Sequence, residues 1–274
     1  MKPFGLRTLI SASVIAGTLS LVACETVQTT QGGTVGVDRQ QRMLVSAQEL
    51  DQTAAKQYTA LIAEEKKKNA LNRDATQVAR VRKIADRLIA QTPVFRPDAR
   101  GWKWEVNVLS SSEVNAWCMP GGKIAVYTGL IDKVKPTDDE LAAVIGHEIS
   151  HALREHARER ASEQMVAGSL ISVGSALFGL GDLGQQGAQY AYMGLVGLPN
   201  SRSHETEADR MGVELAARAG YDPRAAVTLW QKMGSISSNE TPKFLSTHPS
   251  SADRSRDLTD YSQRVMPLYL QAKK

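Results

Sequence analysis

The chain has 274 residues, of which 42% are hydrophobic and 23% charged, with a formal net charge of +4. That composition suits a globular domain with a sizeable core and excludes a disordered chain. No basic stripe interleaved with aromatics occurs, so nucleic acid is not an expected partner, and two cysteines provide no disulfide framework.

Lys2 and Arg7 precede an uncharged apolar run from Leu9 to Val22, the pattern of an export signal and too short for a secure membrane span. The run closes on Leu21-Val22-Ala23-Cys24, which resembles the bacterial lipobox. Residues 1–23 therefore read as a lipoprotein signal peptide, with Cys24 as the lipidated first residue and the membrane contacted through its acyl chains. Without Lys2 and Arg7 the chain carries 31 basic and 29 acidic residues, a net of +2. Glu25, where an Asp would resemble an inner-membrane retention signal, favours the periplasmic face of the outer membrane in a Gram-negative cell, with the inner membrane as the alternative. Residues 24–37 are polar and rich in Gly and Thr, as expected of a flexible tether, and a single domain is expected over 38–274.

Apolar residues recur at helical spacing through Met43, Ala47, Leu50, Ala54, Tyr58 and Leu61, and again through Val78, Val81, Ile84 and Leu88. After Pro93 and Pro97, the alternation Trp102, Trp104, Val106, Val108 predicts a half-buried strand. Asn115 to Met119, Pro120-Gly121-Gly122 and Ile124 to Tyr127 read as strand, turn and strand. A helix opens after Pro136 with Thr137 and Glu140 as a capping box. The Gly-rich residues 165–199 read as a flexible helical lid. Further helices are expected from about Arg202 to Ala219, from Asp222-Pro223 through Trp230, and from Ser251 to Val265. The fold class is α+β, mostly helical, with a small antiparallel sheet.

The capped helix carries His147-Glu148-Ile149-Ser150-His151, an H-E-x-x-H pattern. Positions i and i+4 lie about 40° apart around a helix, so both imidazoles can reach one metal. Glu148 sits beside that face, where it can miss the ion and act as a general base. A catalytic zinc takes three protein ligands, so a third donor must lie elsewhere. His156, nine residues after His147, would fall on the opposite side of the same helix and is read as packing or facing solvent. Glu205 and Asp209 at i, i+4 offer one carboxylate for the metal and another to accept a hydrogen bond from a ligand histidine. Glu207 is read as solvated or capping, and His204 as structural or on the rim.

Four blocks, NAWCMPGGKIAVYTGL at 115–130, HEISH, SRSHETEADR at 201–210 and THPSSADR at 247–254, together resemble the HtpX and CAAX-prenyl-protease type zinc metallopeptidases, family 48 of that class. The resemblance covers roughly residues 40 to 265 and implies a zincin-like domain with one Zn2+ held by His147, His151 and Glu205, with Asp209 orienting. It places His248 and Arg254 near the substrate; His248 would either stabilise the oxyanion or occupy the open zinc position in a resting state. It further implies that Asn115, Ala116, Gly122 and Ile124 form an edge-strand wall for substrate. Trp117 and Cys118 depart from the commoner form of that wall, and Cys118 reads as a small buried residue. The function implied is proteolysis of misfolded or misassembled envelope proteins, with a chaperone whose metal site is mostly latent as the alternative.

Overall fold

The computed structural model describes residues 25–178, 200–236, 242–249 and 252–274. The export segment and Cys24 lie outside the described residues, as does most of the stretch read as a lid.

Helix α1 (Ala47–Lys67) starts at Ser46, whose hydroxyl accepts from the Glu49 amide, and buries Leu50, Ala54 and Tyr58. Helix α2 (Ala75–Ile89) is capped by Asp74 and buries Val78, Val81, Ile84 and Leu88, the face its sequence period predicts. Helix α3 (Asp138–Leu153) opens on the Thr137–Glu140 capping box and is buried on every side from Glu140 to Leu153. It is the central rod of the domain, wrapped by α2, by α5 (Arg202–Arg218) and by α6 (Ala225–Ile236). Helix α4 (His156–Phe178) follows α3, while the short α7 (Lys243–Thr247) and the long α8 (Ala252–Ala272) complete the described chain. Among the described residues no helix is long and apolar enough to cross a membrane.

Strands β1 (Glu25–Val27) and β2 (Gln41–Met43) pair with each other. The main sheet has the order β3 (Glu105–Leu109), β5 (Lys123–Tyr127), β4 (Ala116–Met119). The expected antiparallel sheet is corrected to a mixed one, because β5 runs parallel to β3 and antiparallel to β4. The cause is burial: Lys123 through Val126 are covered, so β5 takes the centre and its hairpin partner β4 is pushed to the edge.

The tether read over 24–37 is also corrected for most of its length. Gln31 donates its amide to the Phe95 carbonyl at 2.7 Å, and the Val35 amide donates to Glu214 Oε2 at 3.0 Å. Val35 and Val37 are buried in the main core. Gly33 turns the chain at φ +60, lying so close to the Phe95 ring that a Cβ would come within 2.4 Å of it. Two valines in a polar segment are enough to seal it onto the domain.

Candidate metal centre

Two glycines bring the site together. A Cβ on Gly146 of α3 would stand 3.0 Å from the Gly212 carbonyl of α5, so these helices cross backbone against backbone. The crossing sets His147 and His151 of one helix against Glu205 and Asp209 of the other. His147 Nε2 lies 3.0 Å from His151 Nε2 and 3.5 Å from Glu205 Oε2, and His151 Nε2 lies 3.4 Å from Glu205 Oε1. His248, at the C-terminal end of α7, places Nδ1 3.2 Å from His147 Nε2 and 3.0 Å from Glu205 Oε1. Its ring stacks on Phe244 at 4.4 Å.

These four buried side chains present donor atoms close enough to hold one ion. A tetrahedron of metal bonds of about 2.0–2.1 Å has edges of roughly 3.3 Å, and the donor spacings bracket that value. Burial holds His151 well below the ordinary histidine range, in the neutral form a ligand needs. Burial would push Glu205 up, but the neighbouring His151 and His248 imidazoles outweigh it and keep the carboxylate ionised. His147 is opposed by burial too, yet Asp209 and Glu205 raise it, so a cation binding there displaces a proton. The residues present fit a single divalent cation of the zinc type.

Glu148 lies one residue from the ligand face. Burial raises its carboxyl above the usual range, its Oε1 has no hydrogen-bond partner, and His248 Nε2 is 3.5 Å away. A buried carboxylate left without a donor is poised to take a proton.

Asp209 Oδ1 stands 2.9 Å from His147 Nδ1, which turns His147 Nε2 toward the donor cluster. Arg254 holds Asp209 in turn through Nε at 2.7 Å and Nη2 at 2.8 Å, while its Nη1 lies 2.8 Å from Glu205 Oε2. The guanidinium also covers the Trp230 ring at 4.2 Å. Arg254 thus grips two carboxylates of the site, a task that a planar fork of donors performs well.

Two further residues differ from their sequence reading, and a third, His204, takes the structural one of its two. The helix breaks after Leu153, with Glu155 at φ +51, so His156 begins a new helix and is fully buried instead of facing away. Its Nδ1 lies 2.8 Å from His151 Nδ1 and its Nε2 lies 3.0 Å from Glu207 Oε2. Glu207 is not solvated but accepts from Arg39 Nε at 2.6 Å and from Arg154 Nε at 2.9 Å. His204 is buried, stacked on His156 at 4.4 Å, with Nε2 3.1 Å from Glu159 Oε2. No glycine or proline marks the break at Arg154–Glu155, and the sequence offers no other signal for it.

A cleft of about 860 Å3 opens onto Glu148, His151 and His248, walled by Asn115 to Pro120 and by Leu50, Thr53, Ala54 and Gln57 of α1. Asn115 and Ala116 lie on that wall as expected. Gly122 and Ile124 do not: Ile124 is in the central strand with pairing partners on both sides, and Gly122 is packed in a turn against Trp104. The sheet edge that faces the cleft is β4. Burial pushes the Cys118 thiol well up, which makes it an inert neighbour of the cleft.

The sequence profile of peptidase family M48 matches residues 75–262. Among curated relatives, the mitochondrial metalloendopeptidase OMA1 of Arabidopsis thaliana is 39% identical over 168 residues, 57% of this chain and 31% of that protein. The mitochondrial metalloendopeptidase OMA1 of Bos taurus is 35% identical over 214 residues, 74% of this chain and 40% of that protein. The metalloprotease LoiP of Escherichia coli is 29% identical over 180 residues, 64% of this chain and 69% of that protein. The chain thus spans less than half the length of the OMA1 proteins it matches here.

Proposed function

The chain belongs to peptidase family M48, and from that premise we propose that it is a zinc-dependent endopeptidase cutting extended polypeptide segments. The observation that carries the proposal is Glu148 Oε1, buried and without a hydrogen bond, beside four convergent donors. His147, His151 and Glu205 would hold the zinc, which when bound polarises the scissile carbonyl and acidifies water. Glu148 accepts the proton of the attacking water, and after the C–N bond breaks it returns that proton to the leaving amine. The free edge of β4 pairs with the substrate backbone and lays it along the cleft, which selects chains able to extend. Native folded proteins rarely offer such a segment, so misfolded or misassembled proteins are the substrate class.

The lipobox at Leu21 to Cys24 supports a lipoprotein facing the periplasm, most simply at the outer membrane, with quality control of envelope proteins as its task. A second reading, a chaperone or assembly factor with a latent site, is favoured by one observation: His248 stands within the donor set. The test is Glu148→Gln assayed on casein or another unfolded substrate. Loss of about 10²–10⁴-fold in turnover with zinc content and folding intact is expected; a variant as active as wild type rules out the mechanism.

A further inference from the structure

His156, Glu159 and His204 form a second cluster of buried donors, behind the metal centre. Its charges are already balanced. Arg39 reaches Glu159 through Nη1 at 2.6 Å and Nη2 at 2.9 Å, and it also reaches Glu207; Arg154 donates to Glu207 as well. With two guanidinium groups in contact, these carboxylates have no call for a second cation. The cluster therefore does something other than bind metal.

We propose that His156 is a positioning residue that fixes the tautomer of His151, so that the Nε2 lone pair of His151 faces the metal. Glu207 accepts from both arginines and is a carboxylate, so His156 Nε2, 3.0 Å from Oε2, must be the donor. A neutral His156 then has a bare Nδ1, which can only accept. His151 Nδ1, 2.8 Å away, must supply the hydrogen, and its Nε2 is left free to ligate. Were His156 rotated, or replaced by a donor-only group, His151 would be driven to carry its hydrogen on Nε2 and could not bind. The stacked His204 ring at 4.4 Å and the full burial of His156 prevent such rotation. Arg39 belongs to the N-terminal segment, so that segment is tied to the metal through Glu207, His156 and His151 in turn.

The inference rests on His151 being a zinc ligand, as proposed above. The measurement is zinc affinity by chelator competition on the full chain, with the melting temperature of the zinc-free form taken alongside. His156→Leu, which fills the space without an acceptor, should weaken zinc binding about 10- to 100-fold. His156→Gln, whose amide can accept from His151 and donate to Glu207, should stay close to wild type. Wild-type affinity in the Leu variant, or equal losses in both, overturns the proposal. Should neither variant fold, long-range 1H–15N correlation of the zinc-loaded wild type decides it: His156 protonated at Nε2 alone is expected, and protonation at Nδ1 overturns the assignment. His151→Ala serves as the control. If it binds zinc like wild type, the metal-site reading itself falls; if it loses zinc while His156→Leu does not, only the positioning role falls.

Discussion

A Cβ placed on Gly212 would stand 2.9 Å from the backbone nitrogen of His147 and 3.1 Å from its Cα. Helices α3 and α5 therefore touch at the residue where the H-E-x-x-H pattern begins, and the spacing between ligands is set by the absence of a side chain. Gly212→Ala must move one backbone off the other, because neither contact atom can rotate away. A loss of about 1–3 kcal/mol is expected, together with weaker zinc retention, since His147 and Glu205 sit on opposite sides of the crossing. Urea denaturation and chelator competition on the same variant check both parts; unchanged zinc affinity would contradict the dependence.

Arg254 is the cation shared by Asp209 and Glu205. Removing one partner of a buried pair leaves the other charge uncompensated, so Arg254→Ala should cost about 3–5 kcal/mol. Arg254→Lys retains the charge but cannot grip Asp209 with two prongs, and an intermediate loss is expected. Denaturant midpoints of the zinc-free forms measure this directly, and a Lys variant equal to wild type would show that charge alone suffices.

Relations within one helix are legible in the sequence, whereas those set by tertiary contact are not. The helical faces of α1, α2 and α3 follow from apolar period, and the pairing of His147 with His151 and of Glu205 with Asp209 follows from i, i+4 spacing. Those relations are local to a helix. The position of His156 depends on a helix break with no glycine or proline to signal it, and the left-handed Glu155 is held by an ion pair with Arg96, a tertiary contact, as well as by Arg158 three residues on. Strand order failed similarly, since the period of Ile124 to Tyr127 says that it is buried but not between which neighbours. Burial of Val35 and Val37 could not be seen while the polar residues around them set the reading.

His248 reaches the donor set through Nδ1 and is steadied by the Phe244 ring. If this arrangement is the resting state, His248→Ala should raise cleavage of an unfolded substrate while lowering zinc affinity, because a fourth donor is lost as the substrate position opens. Turnover measured at saturating zinc separates the two effects. A fall in turnover under those conditions assigns His248 to oxyanion stabilisation instead, and no change removes both roles.

The acid limb of stability follows from seven buried or half-buried groups around the site. Burial holds His151 and His156 well below the ordinary histidine value, so their contribution is complete above about pH 6.5 and is lost as pH falls. Asp209, Glu205 and Glu159 are opposed by burial but lowered by Arg254, by His151 and His248, and by Arg39 respectively. Their contribution is present above the ordinary carboxylate range and disappears as pH drops through their depressed folded values. His147 and Glu148 work the other way: burial alone would lower His147, but Asp209 outweighs it, and burial raises Glu148. Both stabilise the fold at low pH and cease to as pH rises. Below about pH 4 the unfolded chain protonates all seven groups while the zinc-free fold keeps protons on those two. Each excess proton steepens the loss by about 1.4 kcal/mol per pH unit. Stability of the zinc-free chain should thus be greatest near pH 6.5, decline below it as His151 and His156 take up protons in the unfolded chain, and fall most steeply below about pH 4. Zinc displaces the proton of His147 and removes its opposing contribution, so the loaded chain should begin to lose stability at a higher pH than the zinc-free one. Acid titrations followed by circular dichroism with and without zinc test this, and superimposable slopes would mean that His147 does not meet the metal.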